Sequence, residues 1–86
     1  MSLGSLIRKK RRRLDPEKTQ EDICKEISKK YPLYNISQKM LSSIERGAAL
    51  PSCISLVAIC DAIGIEPTEV WEALREELRS RKDAAH

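Results

Sequence analysis

Ile36-Ser37-Gln38-Lys39-Met40-Leu41-Ser42-Ser43-Ile44-Glu45-Arg46-Gly47 sorts its apolar and polar positions at helical spacing. With Leu41 and Ile44 turned inward and Met40 at their margin, Gln38, Lys39, Ser42 and Ser43 project together from the other side. Ser37 can cap the first free amides, and Gly47 supplies the backbone freedom that ends a helix. The stretch therefore predicts a short helix whose N-terminal half is rich in hydrogen-bonding side chains. Two readings of that polar side remain open: ordinary solvated surface, or a helix that enters a DNA major groove. In a groove, Gln pairs with adenine, Lys with guanine N7 and O6, and Ser with several bases.

Toward the N-terminus, Thr19 offers a cap with Glu21 and Asp22 in the first turn, followed by Ile23, Cys24 and Ile27 on one side. This helix should stop near Lys30, before Pro32, leaving Tyr31-Pro32-Leu33-Tyr34-Asn35 as a turn. Before it, Leu3, Ile7 and Leu14, with Leu6 beside them, predict a first helix over about residues 4–14 that ends at Asp15-Pro16.

Toward the C-terminus, Pro51-Ser52 opens a fourth helix with the stripe Leu56, Ile59, Cys60 and Ile63, closed by Gly64. A fifth begins at Pro67 or Thr68 and carries Val70, Trp71, Leu74 and Leu78. The glycines and prolines are read as lying between these periodic stretches. The pattern is all-α, one domain over residues 1–78 with a polar tail over 79–86 expected to fray, and no internal repeat or long linker.

Eighty-six residues fit one domain near the small end of what buries its own core without disulfides or metals. The formal charge of +3 is modest, but Arg8, Lys9, Lys10, Arg11, Arg12 and Arg13 form an unbroken basic run within the first helix. Such a run is commonly just solvated surface, so alone it only permits a polyanionic partner. Cys24, Cys53 and Cys60 are odd in number, lack metal-site spacing and are joined by one histidine, His86. They are expected as reduced thiols in or near the core, in a reducing compartment, with no metal or cofactor. No apolar run approaches a signal or membrane segment, so a cytoplasmic protein with no membrane partner is expected. No nucleophile stands with a base and no Gly-rich loop or paired-carboxylate site occurs, so an enzyme is not expected.

The order of these features resembles the Cro and phage-repressor (XRE-like) helix-turn-helix family over about residues 4–74. Ile44-Glu45-Arg46-Gly47, then Pro51-Ser52, then a helix ending Ala62-Ile63-Gly64 carry the resemblance. It implies a lambda-repressor-like bundle of five helices and a transcriptional regulator, of repressor type, that binds double-stranded DNA with its third helix. On that resemblance Gln38, Lys39, Ser42 and Ser43 occupy base-reading positions, and Gln20 and Arg46 phosphate-contact positions. Arg8, Lys9, Arg12 and Arg13 would add affinity without sequence preference. The chain departs from the family pattern in a longer stretch between Gln20 and Ser37 and in an insertion at Asp15 to Lys18. The enlarged turn bears on the angle between the two helices and leaves Tyr31 and Tyr34 three roles: packing, phosphate contact, or contact with a partner protein.

Arg11 lies four residues after Ile7 and three before Leu14, on the inward stripe, where an arginine demands a carboxylate. Glu45 follows Leu41 by four on the third helix. Lys10 lies nearly as close to the stripe, so the choice of Arg11 and Glu45 as an ion pair leans on the family's matching positions. Regulators with one short reading helix commonly bind two half-sites, which implies a homodimer. Trp71 and Leu78 are its candidate contacts, and the alternative is that Trp71 packs within the monomer. The rival to DNA binding is the same fold used as a protein-interaction module, through residues 31–35 or the fifth helix.

Overall fold

The computed structural model describes the backbone of residues 1–84 and the side chains of residues 1–80. Five helices follow in order: α1 (Leu3–Arg12), α2 (Gln20–Lys30), α3 (Gln38–Glu45), α4 (Cys53–Ile63) and α5 (Pro67–Ala84). There is no strand among the described residues.

The helix starts follow local chemistry. Thr19 Oγ1 accepts from the Asp22 amide at 3.1 Å while Asp22 Oδ2 accepts from the Thr19 amide at 3.0 Å, a reciprocal cap on α2. The same bond from Thr19 holds the Asp22 carboxyl below its ordinary value. Ser37 Oγ accepts from the Met40 amide at 3.0 Å and Ser52 Oγ from the Ser55 amide at 3.2 Å, opening α3 and α4. Each such cap contributes about 1 kcal/mol. Gly64, at φ 86°, closes α4 in the left-handed region.

The core is aliphatic. Leu3, Ile7, Ile23, Ile27, Leu41, Ile44 and Ile59 are fully buried, and Leu6, Ile36, Ala58, Ile63, Ile65 and Ala73 complete it. Burying each large member contributes about 1.5–3 kcal/mol. Helix α1 is central: it packs against α3, α4 and α5, while α2 packs against α3 and α4.

Three expectations need correction. Gly4 is not punctuation between elements but lies inside α1. A Cβ there would meet the carbonyl oxygens of Ile44 and Glu45, the latter at 2.6 Å, so α1 approaches the last turn of α3 backbone to backbone. Helix α5 does not stop near Leu78 but continues to Ala84, where a run without Gly or Pro favours it. Finally, α1 ends at Arg12, and Leu14 reaches only the core margin.

The start of α1 is tied to α5. The Leu3 amide donates to Glu77 Oε1 at 2.9 Å, the Met1 ammonium pairs with Glu76, and Lys10 Nζ lies 2.7 Å from Glu69. That contact with Lys10 holds the Glu69 carboxyl below its ordinary range.

Candidate nucleic-acid interface

Leu41 and Ile44 anchor α3 in the core, so its other side is left outward. Gln38 and Lys39 are exposed at its N-terminal end, while Ser42 and Ser43 are half-buried one turn later. Met40, at the margin as expected, is 48% exposed.

The C-terminal end of α3 is locked from beneath. Arg11 Nε donates to Glu45 Oε2 and Arg11 Nη2 to Glu45 Oε1, each at 2.9 Å. Both residues are only 7% exposed, so this fork is shielded from water. Glu45 also holds the Arg11 guanidinium charged, above its ordinary value. Arg11 Nη1 donates to the Lys18 carbonyl at 3.0 Å, using a remaining donor at the α1–α2 link. No buried side-chain polar atom among the described residues lacks a partner.

Gln20 is the third member of the network, a role not read from the sequence. Its amide nitrogen donates to Glu45 Oε1 at 3.1 Å, so the first residue of α2 touches the last residue of α3. The expected ion pair thus joins three helices. Lys10, the other candidate for it, faces α5 instead.

Arg46 follows directly and is exposed. Its Nε donates to the Ser42 carbonyl at 3.3 Å, and Nη2 lies 3.4 Å from Ser43 Oγ. Between α1 and α3 lies a recess of about 250 Å³ whose rim is Arg8, Arg12, Arg46 and Ser42 and whose floor is Arg11, Glu45 and Gln20. The structure therefore brings Arg12, Gln20, Ser42 and Arg46 together. Arg8 joins them because it stands one turn before Arg12 on α1, a spacing visible in the sequence.

The enlarged turn is pinned away from this cluster, against α4. Tyr31 Oη and Lys30 Nζ each donate to Asp61 Oδ2 at 2.7 Å, and the Lys30 nitrogen sits 5.7 Å from the Tyr31 ring centre. Lys30 and then Tyr31 hold the Asp61 carboxyl below its ordinary value, while Asp61 pushes the Tyr31 hydroxyl and the Lys30 ammonium up. Ser28 Oγ to Asn35 Oδ1, at 2.8 Å, fastens the far end of the turn.

Tyr31 and Tyr34 line an apolar groove of about 320 Å³ with Cys53, Ile54, Val57 and Ala58. Val57 is 67% exposed and also borders a second groove, where Trp71 and Leu74 face α4. Trp71 stays out of the monomer core at 64% exposure, and Leu78 likewise at 70%. These two α5 residues form no part of the α1–α3 recess. The stripe expected on α4 is buried or half-buried, but its opposite side, through Ile54 and Val57, is apolar as well.

Cys24 and Cys60 are half-buried, and burial pushes both thiols up, with Glu45 adding to the effect at Cys24. Cys53 is exposed rather than in or near the core, because the first turn of α4 faces the groove. Among the described residues no group of His, Cys, Asp or Glu could hold a metal ion, and no helix is long and apolar enough to cross a membrane.

Comparison with protein-family models, with curated proteins and with solved structures finds no match for this chain.

Proposed function

We propose that this chain is a sequence-specific double-stranded DNA-binding transcriptional regulator, a repressor that reads the major groove with α3. One observation carries the reading: a short helix offers Gln38 and Lys39 outward while its far end is locked to α1 and α2 by Arg11, Glu45 and Gln20. A reader must hold its side chains in a fixed orientation to discriminate bases, and directional hydrogen bonds from a buried fork add to apolar packing in fixing that orientation. Arg8, Arg12 and Arg46 beside the same helix supply attraction to phosphates. The test is selection of bound sequences from a random duplex pool at low salt. Enrichment of a half-site motif is the expected result; absence of any duplex binding overturns the reading.

The regulator is proposed to act as a cytoplasmic homodimer, with Trp71 and Leu78 contributing to the contact. Three free cysteines suit a reducing compartment. Neither a reaction nor a cofactor is proposed.

The protein-interaction alternative draws on Leu33, Tyr34, Ile54 and Val57, all exposed. These residues belong to the turn and α4, whereas an interaction module working through α3 would carry its apolar residues there. Binding of a partner protein with no duplex affinity would favour this alternative.

A further inference from the structure

We infer that the apolar groove between the enlarged turn and α4 is a socket for Trp71 of a second copy of this chain, each copy inserting its Trp71 into the other, on the homodimer reading proposed above, on which this rests. The contact surface is then α4 with the turn as well as α5.

Helix α4 is apolar on both sides. Ile59 and Ile63 are spent in the core, whereas Ile54 and Val57 stay 52% and 67% exposed. A helix that is apolar all round is ordinarily covered all round. Asp61 is the one charged residue on α4, and Lys30 already neutralises it. Two copies can therefore meet here without setting like charges against each other.

The groove suits one large side chain. Tyr31 and Tyr34 bound its 320 Å³ on the turn and Ile54 and Val57 on α4, while Ala58 is too small to fill the space between. The bonds from Tyr31 and Lys30 to Asp61 hold the turn against α4, so the socket is formed before anything enters it. Trp71 is the one tryptophan of the chain, stands outside its own core and is 64% exposed. Tryptophan is the side chain that most often anchors an interface by filling a partner's pocket.

Position selects a second copy as the source of that tryptophan. Val57 borders both the socket and the neighbouring groove that Trp71 lines, so protrusion and socket lie to either side of Val57. A two-fold axis in the plane of contact, passing Val57 at right angles to the line that joins them, exchanges the two. Each Trp71 then meets the partner's socket, Val57 meets the partner's Val57, and the assembly closes at two copies.

Three measurements on the full chain test this. Because Trp71 is the one tryptophan, its emission should move to shorter wavelength as concentration rises, in step with dimer formation by sedimentation. In a sample mixing labelled and unlabelled copies, isotope-filtered nuclear magnetic resonance should show contacts from the Trp71 indole to the Ile54 and Val57 methyls of the other copy. Val57→Glu and Val57→Lys should each weaken self-association by at least about tenfold with helical circular dichroism intact, and mixing the two variants should restore a dimer. A dimer whose Trp71 emission stays that of an exposed indole, or one that Val57→Glu leaves intact, overturns the socket and leaves a dimer through another surface. A wild type that is monomeric at high concentration and on DNA overturns the homodimer reading and the socket together.

Discussion

Arg11 and Glu45, 34 positions apart in the chain, meet in two parallel hydrogen bonds of 2.9 Å that fasten α1 to α3. Replacing either residue by alanine strands a buried charge and should cost about 2–4 kcal/mol, with the double replacement costing less than the sum. Denaturant melts of the four proteins measure this. Additive losses below a kilocalorie would mean that the fork contributes nothing.

Gly4→Ala reverses the usual effect of that substitution. In an open helix it stabilises by about 1 kcal/mol. Here the added methyl meets the Ile44 and Glu45 carbonyl oxygens, which are backbone and cannot swing aside. The variant should lose about 1–3 kcal/mol, or more if the helices must separate. A thermal melt at or above the wild-type midpoint would show that α1 and α3 lie farther apart.

Base reading and general attraction separate in two further variants. Gln38→Ala should relax preference at one or two positions of each half-site and cost about 1–3 kcal/mol on the preferred site, with little change on random DNA. Arg12→Ala should weaken all duplexes about equally and flatten the salt dependence. Parallel affinities on selected and random duplexes distinguish them. Equal weakening by Gln38→Ala on both would remove α3 from the role of reader.

Trp71→Ala combined with Leu78→Ala should shift sedimentation toward monomer while the helical circular dichroism persists, because both side chains are exposed and neither supports the core. A wild type that stays monomeric at high concentration and on DNA refutes the dimer.

The contact of Tyr31 and Lys30 with Asp61 has a defined pH window. Tyr31 and Lys30 are held above their ordinary values, so their contribution is complete below about pH 10 and is lost as pH rises through the folded values. Asp61 is held below its own, so its contribution is complete above about pH 4 and is lost as pH falls through the folded value. In a Tyr34→Phe background Tyr31 is the only tyrosine, and its ionisation can be followed by ultraviolet absorbance. Asp61→Asn should lower that midpoint; an unchanged midpoint would mean that the hydroxyl does not reach Asp61.

What was legible in the sequence was mostly local. Thr19, Ser37, Ser52 and Gly64 bound their helices where read, because caps depend on residues a few positions away. The Arg11–Glu45 pair was legible because each member sits on an otherwise apolar stripe, although choosing Arg11 over Lys10 needed the family resemblance. The role of Gly4 depends on α3 passing overhead, which no local pattern records. Gln20 takes a phosphate-contact position on the resemblance alone; its bond to Glu45 is not legible, because that contact is set by how α2 and α3 meet. The outer side of α4 is not legible from its inward stripe, since Ile54 and Val57 are apolar residues that stay exposed. Ile36, Ile65 and Ala73 escaped notice because they enter the core from helix borders or as a small residue among larger ones.

The grip of α1 on α3 also limits how far the motif can be transplanted. Helix α3 has eight residues, too few to persist alone in water. A peptide cut to residues 19–47 would keep Gln20 and Glu45 but lose the close backbone seat at Gly4, the packing of Ile7 and the guanidinium of Arg11. Grafting α2, the turn and α3 onto another scaffold would therefore carry over the letters of the motif without its orientation. The smallest transferable unit has to include the first helix.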